Sequence, residues 1–212
     1  MHLTVIAKAP VAGRVKTRLC PPCTPGQAAD IAEAALADTF DAITAVVRGT
    51  RVRPVLLIEG EPPVFTPAEF DVVAQRGDGL EQRLRHGFRD LGPGIMVGMD
   101  TPQAVAGLGA ALGRIERGVD VLGLALDGGY WAIGLACDSD DFLAAVFGGV
   151  PMSTSRAGVY QLRRLHRLGR SVHMLGSTRD LDTVGDLLAA AAAGQRVGRL
   201  GEVASAVAAT FS

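Results

Sequence analysis

Short apolar runs alternate along this chain with longer segments whose apolar positions recur at helical spacing. The short runs are rich in Val, Ile and Leu, which is typical of strands buried on both faces, and Pro/Gly turns separate them from the helical segments. This alternation predicts an α/β fold built on an open sheet. The predicted strands cover residues 3–7, 53–59, 70–75, 94–99, 119–126, 130–136 and 171–175.

Capping residues mark where the predicted helices begin. Thr24-Pro-Gly-Gln27 combines an N-cap, a proline at the first helical position and a capping-box glutamine. Asp78 and Glu81 give the next helix an acidic start, and Thr101-Pro102 supplies a cap and a first-turn proline. The predicted helices cover residues 24–47, 78–91, 101–117, 140–147 and 156–168, one that starts at 182, and a small terminal helix within 194–212.

Asp127-Gly-Gly129 separates two neighbouring strand-like runs and predicts an antiparallel hairpin with a tight turn. The chain has 212 residues, of which 48% are hydrophobic, so it can bury one substantial core. No internal repeat or linker interrupts it. We therefore expect a single domain over residues 1–212.

The loop after the first strand is strongly basic. Between Met1 and Ala29 the chain carries Lys8, Arg14, Lys16 and Arg18 and no carboxylate. In an open α/β sheet, ligands bind beyond the carboxyl ends of the strands, which is where this loop is expected. Gly13 permits close backbone approach, and lysine and arginine donors suit phosphate oxygens. The loop is thus either a polyphosphate-binding loop or a solvated basic turn, and it matches neither a P-loop nor a dinucleotide-binding turn.

Charge and composition narrow the function classes. A net charge of -1 gives no support for binding to nucleic acid or to a membrane surface. The cations are concentrated in the loop after the first strand, which favours a small anionic ligand. The amino terminus shows no charged leader followed by an apolar segment, and no apolar run approaches about 20 residues, which predicts a cytoplasmic protein. Cys20-Pro-Pro-Cys23 has redox spacing, but three cysteines in all are more typical of ordinary reduced thiols.

Three aspartates stand where a strand-like run gives way to a turn or a helix: Asp100, Asp127 and Asp182. A common rim would gather them, and Mg²⁺ or Mn²⁺ prefers carboxylate oxygens together with substrate phosphates. Asp182 is alternatively a helix N-cap, and Asp127 alternatively an ordinary turn residue. Asp100 lies within an apolar run, where a carboxylate is costly, which favours a functional role.

Five motifs follow one another along the chain: Lys8-Ala-Pro-Val-Ala-Gly-Arg-Val-Lys-Thr-Arg-Leu19, Gly98-Met-Asp-Thr-Pro102, Asp127-Gly-Gly-Tyr-Trp-Ala-Ile-Gly-Leu135, Pro151-Met-Ser-Thr154 and Asp180-Leu-Asp-Thr183. In this order they resemble a bacterial family of glycosyltransferase-like proteins in the nucleotide-diphospho-sugar transferase superfamily, some of which are linked to arsenosugar biosynthesis.

The resemblance implies a GT-A-type three-layer α/β/α sandwich, with a mostly parallel sheet and an antiparallel hairpin. It assigns nucleotide and phosphate binding to Lys8, Pro10, Gly13, Arg14, Lys16 and Arg18, with Gln75, Asp78 and Glu81 close to the base or ribose. It implies metal ligation by Asp100. From their positions after strand-like runs, Asp182 is a second candidate metal ligand, and Asp127 or Asp182 is the candidate catalytic residue that orients or deprotonates the acceptor. Gly128, Gly129, Tyr130, Ser153 and Thr154 are assigned to the acceptor, although Tyr130 is alternatively a packing residue and Ser153-Thr154 a helix cap.

The sequence departs from the family pattern at three places. Met99 stands where a serine is common, Met152 stands where a tryptophan is common, and the Asp100 turn lacks the Asp-x-Asp of typical metal-dependent enzymes of this fold. The last departure favours nucleotidyl transfer over sugar transfer.

The leading hypothesis is transfer of a sugar from a nucleotide-diphosphate donor to a small acceptor, assisted by Mg²⁺ or Mn²⁺. The alternatives are nucleotidyl transfer from an NTP to a phosphorylated small molecule, with release of pyrophosphate, and a catalytically silent nucleotide-binding protein. The expected partners are a nucleotide-sugar or NTP and a small-molecule acceptor, and a homodimer is among the open oligomeric states.

Overall fold

The computed structural model of the protein describes residues 1–192 and 198–211. Within them, seven strands form one sheet of order β3-β2-β1-β4-β6-β5-β7. The strands are β1 His2–Lys8, β2 Arg53–Glu59, β3 Asp71–Ala74, β4 Gly94–Gly98, β5 Asp120–Ala125, β6 Tyr130–Leu135 and β7 Val172–Thr178. The helices are α1 Pro25–Val47, α2 Leu80–Leu91, α3 Pro102–Val105, α4 Gly109–Glu116, α5 Asp140–Phe147, α6 Ala157–Arg167, α7 Val184–Ala192 and α8 Arg199–Ala209.

The direction of the strands determines where the site lies. β1 pairs in parallel with β2 and β4, β2 with β3, and β5 with β7, whereas β6 is antiparallel to both β4 and β5. Every strand except β6 therefore ends at the same edge of the sheet, and β6 begins there. The predicted mostly parallel sheet with an antiparallel hairpin is confirmed.

Successive apolar residues of the strands point to opposite faces of the sheet and build two cores. In β4, Ile95 and Val97 belong to one core and Met96 to the other. The first core packs against α1, α3 and α4, and the second against α2, α5 and α6. This gives the predicted three layers, and α7 and α8 cover the outer side of α1.

The start of α1 forms as its sequence predicts. The Gln27 amide donates to Thr24 Oγ1 over 3.2 Å, and the Thr24 amide donates to Gln27 Oε1 over 2.8 Å, which completes the capping box. The start of α2 differs, because Gly79 is its N-cap, no side chain caps it, and Asp78 makes no capping bond there. The capping role predicted for Asp78 was wrong, whereas Glu81 lies in the first turn of α2 as predicted.

Two further boundaries correct the sequence predictions. The helix predicted over residues 101–117 is divided into α3 and α4, because Gly107 and Gly109 favour a break that the apolar periodicity alone conceals. β7 extends to Thr178, beyond the predicted end at 175. The terminal helix predicted within 194–212 is α8; residues 193–197 and 212 lie outside the described residues.

Candidate active site

A cleft of about 870 Å³ lies at the sheet edge where β1, β4 and β5 end. Its walls come from segments far apart in the sequence: the loop after β1, the residues after β4, the β5–β6 turn, the 152–155 segment and the residues after β7. Twelve predicted site residues line it: Lys8, Arg14, Lys16, Arg18, Gln75, Asp100, Asp127, Gly129, Tyr130, Ser153, Thr154 and Asp182.

Five predicted site residues lie outside this lining. Pro10 borders a neighbouring cavity of about 720 Å³, which shares Lys8 and Arg14 with the cleft. Gly13 is in the same basic loop with a φ of +78°, a conformation that glycine adopts without strain. Asp78 and Glu81 flank Gly79 and Leu80, which do line the cleft. Gly128 is next in sequence to Gly129, which also lines it.

The basic loop forms one wall of the cleft. Lys8 is half exposed and lies 3.5 Å from Glu59, and Arg18 is exposed and lies 3.2 Å from Asp182. Lys16 differs from both, because its side chain is only 4% exposed. Lys8 and Arg18 stay more than half exposed despite these ion pairs, so their remaining N–H donors can reach an anionic ligand.

Lys16 joins three segments of the chain. Its backbone is left-handed, with a φ of +49°. Its Nζ lies 2.6 Å from Asp100 Oδ1 and 4.0 Å from Asp182 Oδ1, and it donates to the Leu181 carbonyl over 2.5 Å. The loop after β1 is thus held against the residues that follow β4 and β7.

The cleft also has an acidic wall of four carboxylates, Asp100, Asp127, Asp180 and Asp182, two of which, Asp100 and Asp182, pair with the basic loop. Burial, together with the charges of the other three, raises the pKa of Asp180 to about 7, despite the opposing effect of Lys16. Burial also raises the pKa of Asp182, where Lys16 and Arg18 act in the opposite direction to Asp100 and Asp127. Crowding of like charges at one site is typical of carboxylates that bind a cation or handle a proton.

Asp180 is a functional candidate that the sequence analysis missed. Asp180-Leu-Asp182 is an irregular segment before α7, and Leu181 is buried while both aspartates line the cleft. Residues i and i+2 of an extended segment share one side, so this alternation was a signal in the sequence. Asp182 is not the N-cap of α7, because Thr183 and Asp186 exchange the capping bonds: the Thr183 amide donates to Asp186 Oδ2 over 2.9 Å, and the Asp186 amide donates to Thr183 Oγ1 over 3.3 Å.

Gln75 lines the cleft with its amide group already engaged. Its Nε2 donates to the carbonyls of Ala7, over 2.6 Å, and Leu57, over 3.0 Å, and its Oε1 accepts from Arg83 over 3.3 Å. Arg83 also pairs with Glu59 and lines the cleft, although the sequence analysis did not select it. It lies in the first turn of α2, on the cleft side together with Leu80, which is the spacing that could have revealed it.

The β5–β6 turn packs closely on the 152–155 segment. Gly128 has a φ of +91°, and a Cβ added there would lie 2.0 Å from the Ser155 carbonyl oxygen. Asp127 Oδ1 accepts the Gly129 amide over 2.8 Å, which fixes the carboxylate within its own turn. Tyr130 donates its hydroxyl to Met152 Sδ over 3.3 Å, and burial raises the pKa of that hydroxyl.

The carboxylates fit a metal that binds together with a substrate. Within residues 1–192 and 198–211, no three His, Cys, Asp or Glu side chains lie close enough to form a complete metal cage. Oδ1 of Asp100 and Oδ1 of Asp180 are buried without a hydrogen-bond partner, although Lys16 provides an ion pair to the former. Mg²⁺ is commonly held by one or two carboxylates, water and substrate phosphates, which matches this incomplete set.

A mostly parallel seven-stranded sheet between two layers of helices is a fold found in other proteins of known structure. The chain is similar to the crystal structure of a "putative nucleotide-diphospho-sugar transferase" from Desulfovibrio desulfuricans G20, with a TM-score of 0.81 at 21% identity over 96% of this chain and 94% of that one. At this identity the similarity shows the fold. The protein belongs to the family described as "Uncharacterized protein conserved in bacteria (DUF2064)", whose model matches residues 42–154.

The chain is also weakly similar to the structure of Rv0371C from Mycobacterium tuberculosis H37Rv in complex with manganese, with a TM-score of 0.48 at 20% identity over 89% of this chain and 97% of that one. No curated protein is significantly similar to the chain in sequence. Among the described helices, none is both long and apolar enough to cross a membrane.

Proposed function

We propose that the protein transfers a glycosyl group from a nucleoside-diphosphate sugar to a hydroxyl group of a small acceptor, with Mg²⁺ or Mn²⁺ as cofactor. The observation that carries this proposal is the presence of exposed cations and clustered carboxylates in one cleft. Lys8, Arg14 and Arg18 line it from the basic loop, and four aspartates line its acidic wall. A diphosphate bridged to the carboxylates through a divalent cation would bind both groups.

The donor binds with its diphosphate along the basic loop. Lys8, Arg14 and Arg18 supply charge-assisted hydrogen bonds to the phosphate oxygens, and the arginines do so through their planar fork. Asp100 and Asp182 would hold the metal, which would supply positive charge to the departing diphosphate. The basic side chains act in the same direction, since their charges are fixed where the leaving group becomes negative.

Asp127 is the best-placed carboxylate to receive the acceptor's proton. Its Oδ1 is held by the Gly129 amide, it is exposed to the cleft, and it has no cation paired with it among the described residues, whereas Asp182 is paired with Arg18. In the transfer, the acceptor oxygen bonds to the anomeric carbon and the bond from that carbon to the phosphate oxygen breaks. The hydroxyl proton passes to Asp127, and the nucleoside diphosphate leaves.

The acceptor side of the cleft favours a hydroxyl acceptor over a phosphorylated one. Its described lining consists of Gly129, Tyr130, Asp127 and the 152–155 segment, which contribute hydroxyls, a thioether and a carboxylate but no cation. A phosphate acceptor would meet the Asp127 carboxylate without a positive charge from this lining, and like charges at close range are unfavourable.

Nucleotidyl transfer is the second candidate, and one observation favours it. Asp100 is followed by Thr101-Pro102, so the turn after β4 has a single carboxylate where Asp-x-Asp glycosyltransferases have two. In this reaction an acceptor phosphate attacks the α-phosphorus of an NTP and pyrophosphate leaves. It uses the same basic loop and the same metal carboxylates.

A ligand panel separates the two reactions. The Tm of the protein is measured with Mn²⁺ and each of the UDP-, GDP- and TDP-sugars and NTPs. A ligand present at 100 times its Kd stabilises the fold by about 2.7 kcal/mol, which raises the Tm of a chain of this size by roughly 5–10 °C. The ligand that stabilises is then incubated with hydroxyl or phosphorylated acceptors, and the products are followed by ³¹P NMR. Release of nucleoside diphosphate supports glycosyl transfer, release of pyrophosphate supports nucleotidyl transfer, and absence of stabilisation by every nucleotide contradicts both. Asp127→Asn is expected to bind the donor and lose transfer.

A further inference from the structure

Lys16 differs from Lys8 and Arg18 because its side chain is almost completely buried against the carboxylates of the cleft. Its Nζ lies 2.6 Å from Asp100 Oδ1, 4.0 Å from Asp182 Oδ1 and 2.5 Å from the Leu181 carbonyl, and its side chain is 4% exposed. Lys8, by comparison, is 56% exposed and lies beside Glu59 at the rim. Lys16 is therefore the internal counter-charge of the acidic wall.

Lys16 Nζ lies close to two carboxylates that would hold the metal, 2.6 Å from Asp100 Oδ1 and 4.0 Å from Asp182 Oδ1. A magnesium ion bridging these two carboxylates would need the space between them, about 2.0–2.1 Å from an oxygen of each. An ammonium and a divalent cation in that space would repel each other, so Lys16 has to move before a metal bridges Asp100 and Asp182.

We propose that Lys16 fills the divalent-cation position in the free protein and so makes metal binding depend on the diphosphate. This inference rests on the proposed function and goes beyond it by naming the residue that couples the two ligands. A diphosphate in the cleft offers the ammonium oxygens of higher charge than the Leu181 carbonyl, and the four-carbon stem of lysine can swing towards them. Asp100 is then released to the metal, and the nucleotide and the metal bind cooperatively.

A purely structural role for Lys16 predicts the opposite change in metal affinity when Lys16 is removed. If Lys16 only ties the loop after β1 to the residues around Leu181, its removal would disturb Asp100 and Asp182 and weaken metal binding. If it occupies the cation position, its removal would free the carboxylates and strengthen metal binding. The sign of the change in metal affinity therefore distinguishes the two roles.

The first measurement uses Mn²⁺ alone, without nucleotide. Mn²⁺ affinity is determined from the EPR signal of the free ion for the wild type, Lys16→Met and the matched control Lys8→Met, which removes the same charge at the rim. Lys16→Met is expected to bind Mn²⁺ about tenfold more tightly than the wild type, because a repelling charge at the site has been removed. Lys8→Met is expected to stay within about twofold of the wild type, since its ammonium is paired with Glu59. Unchanged or weaker Mn²⁺ binding by a folded Lys16→Met overturns the inference.

The second measurement adds UDP or GDP, with a protein-free blank for metal bound by the nucleotide itself. The wild type is expected to gain about tenfold in Mn²⁺ affinity, and Lys16→Met is expected to gain much less, since the coupling residue is missing. Circular dichroism confirms folding, and Lys16→Gln, which keeps a donor for the Leu181 carbonyl, replaces Lys16→Met if that variant does not fold.

Different results contradict the proposed function and the role of Lys16. If neither Lys16 variant folds, the test uses the wild type alone: a Mn²⁺ affinity that does not change when a diphosphate is bound overturns the role of Lys16. If no diphosphate or nucleotide-sugar binds at all, the proposed function fails, whereas the measurement with Mn²⁺ alone still tests Lys16.

Discussion

Gly128 is where the β5–β6 turn and the segment ending at Ser155 come closest, and replacing it with alanine tests that contact. The added Cβ would lie 2.0 Å from the Ser155 carbonyl oxygen and 2.5 Å from its carbonyl carbon. Carbon–oxygen contacts are ordinarily about 3.3 Å or longer, so backbone atoms must move by roughly 1 Å. The clash costs about 1–3 kcal/mol, and the left-handed φ of +91° costs about 1–2 kcal/mol more.

Gly128→Ala is therefore expected to lower the free energy of unfolding by about 2–5 kcal/mol, measured by urea denaturation. Gly149→Ala is the matched control, because Gly149 has a φ of +70° with nothing within 4 Å of an added Cβ, so only the conformational strain of about 1–2 kcal/mol applies. Equal losses in the two variants would refute the close packing of the Asp127 turn on Ser155.

Three further changes test the charges inside the fold. Arg170→Met removes the cation that binds the fully buried Asp120 over 2.7 and 3.0 Å, and should lower stability by about 3–5 kcal/mol in urea denaturation; Asp120→Asn added to it should restore part of that loss. Burial lowers the pKa of His2 to about 4, so the stability it contributes, about 3 kcal/mol, is full above pH 6.5 and is lost as pH falls towards 4; a His2→Gln variant should lack this slope. For Asp180 the sign is reversed, since a pKa of about 7 favours the protonated form in the fold and stability falls as pH rises from about 4 to 7; metal-free Asp180→Asn should melt above the wild type at pH 8 and close to it at pH 4.

Local signals in the sequence were sufficient for most of the fold. The run Pro54-Val-Leu-Leu-Ile58 predicts a strand buried on both faces. β2 lies between β3 and β1 in the sheet, and its side chains are divided between the two cores. Thr24 and Gln27 fixed the start of α1 through bonds between residues three apart. The break between α3 and α4 escaped prediction because apolar residues continue on both sides of Gly107 and Gly109 at helical spacing.

The sequence predicted the parts of the site whose residues are neighbours in the chain. It did not predict the burial or bonding of residues that depend on tertiary contacts. The basic loop was visible as a run of cations without carboxylates, and Asp100 as a carboxylate within an apolar run. The burial of Lys16 depends on contacts with Leu181 and Asp182, more than 160 residues away. Nothing near Lys16 in the sequence distinguishes it from Arg14 or Arg18, and for the same reason the bonds from Gln75 to the Ala7 and Leu57 carbonyls could not be foreseen.

The central claim is that a nucleoside diphosphate binds in this cleft through a metal held by Asp100. Calorimetric titration of UDP and GDP in the presence and absence of Mn²⁺, on the wild type and Asp100→Asn, tests it most directly. We expect Mn²⁺-dependent binding by the wild type and loss of that dependence in an Asp100→Asn variant with an unchanged circular dichroism spectrum. Equal Mn²⁺-dependent affinity in the two proteins would contradict the claim.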